Sequence, residues 1–178
     1  GAAGGVGSAA VQIGVASGAT VIGVSRHAEG RAAIEGWGAT AIDADGWVER
    51  VHELTGGRGA DVILELVGAP NFEGNMQAIA RRGRLAIVGI GAGQKVELQL
   101  RDLMTKRASL FGTTLRARPL EEKVDAIQRF HRELGPLFAS GRLVPVIDRS
   151  YPWLEAADAL ARMEGAGKIG KVLLDFAS

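Results

Sequence analysis

Apolar positions along this chain alternate between two textures: short β-branched runs, and stretches in which apolar residues recur every three or four positions. Val6, Ala9, Ala10, Ile13 and Ala16 keep the helical period, and Gly18 supplies a stop. The run Thr20-Val21-Ile22-Gly23-Val24-Ser25 is apolar on both faces, which is the pattern of a buried parallel strand. Residues 28–37 predict a short helix that ends at Gly38, and Ala41-Ile42 a weak strand. A second helix is predicted over residues 46–54, with Val48, Val51 and Leu54 on one face, broken by Gly56-Gly57-Arg58-Gly59. Strands follow at residues 61–67 and 83–89 with a helix over 72–80 between them, and a short helix at 101–106 leads to a strand at 109–115. Strands alternating with helices predict an α/β fold, a doubly wound parallel sheet whose strand C-terminal ends share one ligand-binding edge.

Beyond about Arg116 the pattern changes. Val124, Ile127, Phe130, Leu134 and Phe138 make the apolar stripe of a long helix whose last turn Pro136 should kink or reset. An edge-like strand at Leu143-Val144-Pro145-Val146-Ile147, an amphipathic helix from Trp153 to Met163 and a closing strand at residues 171–176 complete the chain. Pro145 and Pro152 interrupt the alternating count. The expected organisation is therefore a nucleotide-type domain over residues 1–116 and a segment of a second domain over residues 117–178.

With 178 residues, 47% hydrophobic content and a net charge of +1, the chain can bury the core of one domain plus part of another. Near-neutral charge gives no reason to expect nucleic acid or an anionic membrane as partner, and no apolar run reaches bilayer length. Cysteine is absent, which excludes disulfides and cysteine-ligated metal within these residues and is compatible with a reducing cytoplasm.

The densest chemical signal is at the start, Gly1-Ala2-Ala3-Gly4-Gly5-Val6-Gly7 running into Ser8-Ala9-Ala10. Ala2, Gly4 and Gly7 occupy the three small-residue positions of a dinucleotide fingerprint, and a helix starting near Gly5 would aim unpaired N–H groups at a pyrophosphate. A glycine-rich turn of purely architectural use is the alternative. That fingerprint normally follows a strand, and residue 1 already lies in the loop, so a Rossmann sheet without its first strand is expected here. Where dinucleotide folds that prefer NAD place a carboxylate at the end of the next strand, this chain has Ser25-Arg26. A hydroxyl and a planar guanidinium suit a 2′-phosphate, which favours NADPH; a solvated loop arginine is the plain alternative.

Gly68 and the run Val88-Gly89-Ile90-Gly91 bring bare backbone to the same edge, where a flat ring could approach, although ordinary turn chemistry accounts for them equally. Thr113 and Thr114 could add hydroxyls there, or serve only as good strand formers. Tyr151 has Glu155 rather than lysine four residues on, and neither Lys95 nor Lys168 is followed by Ser or Thr, so neither glycine-rich stretch is a P-loop. His27, His52 and His131 fall on separate elements without metal-ligand spacing. The residues thus offer a cofactor site, no metal site and no assigned catalytic acid or base.

Three segments, residues 1–10, residues 54–62 (Leu-Thr-Gly-Gly-Arg-Gly-Ala-Asp-Val) and residues 83–89 (Gly-Arg-Leu-Ala-Ile-Val-Gly), resemble the C-terminal half of medium-chain dehydrogenases/reductases. The tail from Val144-Pro145 through Ala156-Ala157 to Gly170-Lys171-Val172 is similar too, and the likeness is to the zinc-independent quinone oxidoreductase branch that includes zeta-crystallin. The resemblance implies a Rossmann domain over residues 1–116 and, after it, the C-terminal portion of a GroES-like catalytic domain. It implies that a pyrophosphate meets Ala3, Gly4, Gly5 and Val6 beside Gly7, that a 2′-phosphate meets Ser25 and Arg26, and that the nicotinamide end meets Val88 to Gly91 and Thr113, Thr114 and Leu115. It further implies NADPH as cofactor, a quinone or enone as small-molecule substrate, a cytoplasmic homodimer paired through the last nucleotide-domain strand, and no metal. An enoyl-thioester reductase module and a non-catalytic NADPH-binding protein stay open beside the quinone reductase. Two departures bear on the phosphate site: Asp43-Ala44-Asp45 stands where a tyrosine or histidine often packs, and Gly30 where a lysine is often found. Arg26 would then supply most of the phosphate charge.

Overall fold

The described residues, 1–177 of a computed structural model, turn the alternating pattern into seven α-helices and seven strands. In chain order these are α1 (Gly5–Ala16), β1 (Ile22–Val24), α2 (Ala28–Gly36), β2 (Thr40–Ile42), α3 (Trp47–Leu54), β3 (Ala60–Glu65) and α4 (Phe72–Ala78). Then follow β4 (Ile79–Ile87), α5 (Leu100–Lys106), β5 (Ser109–Gly112), α6 (Leu120–Ala139), β6 (Ile147–Pro152), α7 (Ala156–Glu164) and β7 (Lys171–Asp175). Every paired strand among the described residues is parallel to its neighbour, as helical crossovers require. No helix among them is long and apolar enough to cross a membrane.

Two compact units are formed. One joins residues 1–45 to the chain from residue 125 onward; the other is Gly46–Val124.

In the first unit, β1 and β2 pair in register from Ile22 opposite Thr40 to Val24 opposite Ile42. Ala3, Val11, Ile34 and Ala39 are buried together, with Val15, Val21 and Trp37 packed against them. Covering a side chain such as Ile34, which has 0% exposure, contributes roughly 1.5–3 kcal/mol. The tail adds a small β6-α7-β7 unit. Arg162 of α7 grips Asp148 of β6 with two hydrogen bonds of 2.7 Å, and the Ile169 N–H donates to the same carboxylate at 3.0 Å. The start of β7 then reaches the glycine loop: the Gly170 N–H donates to the Ala3 carbonyl at 2.8 Å.

In the second unit the order is β3-β4-β5, with α4 and α5 as the crossovers. Phe72, Met76, Ile79 and Leu85 form its core, flanked by Ile63, Leu98, Leu103, Ala108 and Leu110. Lys106 donates to the carbonyls of Met76, Gln77 and Ile79 at 2.7, 2.7 and 2.8 Å, satisfying the open end of α4. Partial burial there pushes the Lys106 ammonium below its usual pKa, partly offset by Asp102.

Of the predicted boundaries that move, three do so for a clear local reason. The strand expected at residues 143–147 forms instead at Ile147–Pro152. Pro145 has no N–H for a ladder, and both polar groups of Val144 are taken by the Gln12 side chain. The helix expected over 72–80 stops at Ala78, because Ile79 and Ala80 open β4; Arg82, at φ 63°, lies within the register shift that follows. The helix expected from Trp153 begins at Ala156 after a 3-10 turn at Trp153–Glu155. Helix α6 runs through Pro136, and Val124, Ile127, Phe130 and Phe138 on its apolar stripe are exposed.

Candidate nucleotide site

Two groups of candidate residues are built by local packing, one in each unit. The first is the glycine loop with the end of β1. Gly4 precedes α1 in extended conformation, and no side chain caps the helix, which leaves its first N–H groups without a side-chain partner. A Cβ on Gly7 would stand 2.6 Å from the Ala2 Cα and run into the Gly1 carbonyl, so only glycine permits this turn. A Cβ on Gly4 would meet nothing closer than the Gly1 carbonyl, at 3.4 Å. Its bareness is not needed for packing and is open to a ligand. Ala3 and Gly7 are buried, whereas Val6 is 51% exposed.

The Ala2 N–H donates to the Val24 carbonyl at 3.3 Å, which ties the loop to the end of β1. There Ser25 is buried with its hydroxyl donating weakly to the His27 carbonyl at 3.4 Å, while Arg26 is exposed and makes no hydrogen bond or ion pair among the described residues. Gly30 is small for a reason: a Cβ there would collide with the Ser25 hydroxyl and lie 3.2 Å from the Ala3 Cβ. The structure thus brings Ala3, Gly4, Gly5, Gly7, Ser25 and Arg26 into one neighbourhood around the α1 N-terminus.

Two cations here escaped the sequence reading. The Arg31 guanidinium donates to the Ser25 carbonyl at 3.0 Å and pairs with the Asp43 carboxylate at 2.5 Å. Asp43 is held below the usual carboxylate pKa chiefly by the Asp45 backbone N–H, against desolvation, with lesser help from the Ala44 N–H and the Arg31 charge. Lys171, the first residue of β7, lies along Gly5: a Cβ on that glycine would be 2.9 Å from the Lys171 Cγ and 3.1 Å from its ammonium nitrogen. The signal for Arg31 was one residue away, at Gly30. Nothing local marked Lys171, because its placement depends on the pairing of Gly4 with Gly170.

The second group is at the strand ends of Gly46–Val124. Val88 and Gly89 donate their N–H groups to the Glu65 carbonyl at 2.9 and 3.1 Å, and the Ala92 N–H bonds to Val67 at 3.0 Å. Gly68, at φ 114°, is where the two turns meet, and a Cβ there would approach the Ile90 Cα to 2.9 Å. The Glu65 side chain is the buried post of this corner, 4% exposed. It accepts from the N–H groups of Val67 and Gly68 at 2.5 and 2.8 Å, from Asn71 at 3.4 Å and from Asn75 at 2.5 Å. Sequence reading missed it, although a carboxylate inside the apolar run from Val62 to Val67 is a signal in itself. Val88, Ile90 and Gly91 are exposed.

Thr113 continues from β5, its N–H bonded to Ile87 at 3.0 Å. Its hydroxyl accepts from Arg118 at 2.8 Å and the Thr114 carbonyl accepts from the same side chain at 2.9 Å, while Leu115 is 61% exposed. Arg118 therefore engages the Thr113 hydroxyl that the sequence offered, but only the backbone carbonyl of Thr114.

Among the described residues no three His, Cys, Asp or Glu side chains could together hold a metal ion. His52 has its ring nitrogens near the carbonyls of Gly57 and Gln77, at 3.3 and 3.2 Å.

A glycine cradle at an uncapped helix, parallel strands with helical crossovers and bare strand ends define a dinucleotide-binding α/β protein of the Rossmann class. The sequence profile of the family described as zinc-binding dehydrogenase matches residues 5–132, and the chain belongs to that family. Quinone oxidoreductase of Lama guanicoe is 34% identical over 178 residues, covering 98% of this chain and 52% of the relative. The Homo sapiens quinone oxidoreductase is 30% identical with the same coverage. Among solved structures, Escherichia coli quinone oxidoreductase complexed with NADPH is 30% identical, with a TM-score of 0.83 over 97% of this chain and 54% of that one. The chain spans about half the length of these relatives, at 52% of the curated ones. The family's name refers to zinc; the described residues offer no donor set for it.

Proposed function

We propose that this chain is the nucleotide-binding half of an NADPH-dependent oxidoreductase that reduces a quinone or another conjugated carbonyl compound. The observation that carries the reading is the uncapped start of α1, with an open Gly4 and the Lys171 ammonium beside Gly5. Backbone N–H groups and one cation at that point suit a pyrophosphate, and exposed Arg26 next to buried Ser25 suits a 2′-phosphate. The bare backbone of Val88 to Gly91 and the braced Thr113-Thr114 suit the nicotinamide end. The NADPH named for the Escherichia coli relative supports the same choice.

When bound, NADPH supplies a hydride; with one proton from solvent, a quinone becomes the hydroquinone and NADP+ is left. The chain's own part is orientation: α1 holds the phosphates and the Glu65 corner keeps the strand-end turns rigid. We place the nucleotide domain at residues 1–116 and assign residues 117–178 to the catalytic domain, in a cytoplasmic homodimer. Support for the dimer is the outer edge of β5, which pairs with no strand among the described residues.

The test is NADPH consumption by the protein at its full natural length, with a naphthoquinone and an enone as acceptors. Turnover with either is the expected result. Tight NADPH binding with no oxidation by any conjugated carbonyl would mean a binding protein rather than a reductase.

A further inference from the structure

We infer that the Arg31–Asp43 ion pair sets nucleotide selectivity: Asp43 withholds the Arg31 guanidinium from a 2′-phosphate seated at Ser25 and Arg26. This rests on the NADPH reading above. The Ser25 N–H donates to the Ile42 carbonyl at 3.1 Å, so the turn carrying Arg26 and the turn carrying Asp43 leave adjacent strand ends. Arg31 enters from the first turn of α2 and touches both turns, its Nη1 donating to the Ser25 carbonyl at 3.0 Å and forming an ion pair with the Asp43 carboxylate at 2.5 Å. The Arg31 guanidinium thus touches Ser25, and Arg26 follows Ser25 in the chain. One guanidinium is free and one is engaged.

Asp43 is not a chance neighbour. Its carboxylate also accepts the Asp45 N–H at 3.2 Å, which fixes it in an Asx turn facing Arg31. The pair is open to solvent, with side-chain exposures of 29% for Arg31 and 45% for Asp43, so a bound phosphate can compete for it. A 2′-phosphate carries close to two negative charges near neutral pH. Asp43 opposes it twice, by repulsion and by holding the Arg31 Nη1 that could otherwise face a phosphate oxygen. Glu29, Glu35 and Asp45 are the other acidic residues close by in sequence, and none of them forms an ion pair with Arg31 among the described residues. The consequence is a site that tells NADPH from NADH mainly through Arg26, with a second guanidinium held in reserve.

The experiment is fluorescence titration of the full-length protein with NADPH and NADH, and competition by 2′,5′-ADP and 5′-AMP as probes of the adenosine end alone. Asp43→Asn is expected to raise the preference for the 2′-phosphorylated member of each pair by about tenfold, the scale of one added charge-assisted contact. NADH affinity should stay unchanged. Asp43→Glu, which keeps the charge, should retain the parental ratio, and Arg31→Ala placed in the Asp43→Asn background should erase the gain. An unchanged ratio in Asp43→Asn, or a gain that survives Arg31→Ala, overturns the inference while leaving the cofactor reading intact. Failure of all four nucleotides to bind the parent protein removes the cofactor reading and this inference with it.

Discussion

Gln12 and Val144, 132 positions apart, exchange two hydrogen bonds: the Gln12 amide nitrogen donates to the Val144 carbonyl at 3.0 Å, and the Val144 N–H donates to the Gln12 oxygen at 3.1 Å. A carboxamide satisfies both groups of one residue, which neither a carboxylate nor an alkyl chain does. Gln12 is 8% exposed, so its loss leaves a shielded N–H and C=O without partners. Gln12→Leu should destabilise the chain by about 1–3 kcal/mol, read as a lower urea midpoint. Gln12→Glu, which removes the donor, should also destabilise. A variant as stable as the parent would mean that water replaces the amide.

The glycines of the loop should separate architecture from binding. Gly7→Ala drives a methyl into the Gly1-Ala2 backbone and should cost about 1–3 kcal/mol of stability. Gly4→Ala fits the fold, with 3.4 Å to its nearest neighbour and an extended backbone. Its thermal midpoint should match the parent's while affinity for NADPH and NADH falls by about tenfold or more. Unimpaired binding by Gly4→Ala would remove the α1 N-terminus from the proposed site.

The difference between those glycines marks what was legible in the sequence. Spacing singled out Gly4, Gly7, Ser25 and Arg26 as one candidate group because a fingerprint loop and the strand after it are contiguous in the chain, and local periodicity encodes both. Lys171 was not readable, since its approach to Gly5 follows from a bridge between Gly4 and Gly170. Val144 misled for the same reason: its apolar neighbours read as a strand, while its backbone is spent on Gln12. Arg31 and Asp43 are each ordinary surface charges until the β1-β2 register sets them side by side.

Glu65 should prove structural in a way that reaches function. Four donors converge on its carboxylate, so Glu65→Ala strands several of them in a buried corner and should cost roughly 3 kcal/mol. Glu65→Gln keeps one oxygen for Val67 and Gly68, and a rotated Asn75 amide can accept from the new nitrogen. Stability should therefore recover largely in Glu65→Gln. Equal losses in the two variants, by urea unfolding, would show that the charge itself is required.

Acid should loosen the tail through Asp148. Its side chain is 8% exposed and its carboxyl is held below the ordinary pKa, chiefly by the Arg162 hydrogen bonds and also by the Ile169 N–H, against opposing desolvation. A carboxyl whose folded pKa lies below its unfolded value of 3.8 contributes stability that is fully present above that pH. The contribution is lost as pH falls through the lower folded value. Asp148→Asn should lower stability at neutral pH and flatten the acid limb of the stability profile below about pH 4. A parent and variant whose profiles run parallel down to pH 2, about the acid limit of such titrations, would contradict this.

Lys171 offers the sharpest separation of the two phosphate ends. Its ammonium lies by Gly5 at the α1 N-terminus, whereas Arg26 and Arg31 lie beyond β1. Pyrophosphate is common to both nicotinamide nucleotides, and the 2′-phosphate belongs to one. Lys171→Ala should therefore weaken NADPH and NADH by the same factor, about tenfold for a charge-assisted contact, and leave their ratio untouched. Arg26→Ala should instead lower the ratio and spare NADH. Added salt should narrow the gap between Lys171→Ala and the parent, because a partly exposed cation is screened. If Lys171→Ala changed the ratio rather than the common affinity, the pyrophosphate would not lie at Gly5, and the assignment of the two ends would have to be exchanged.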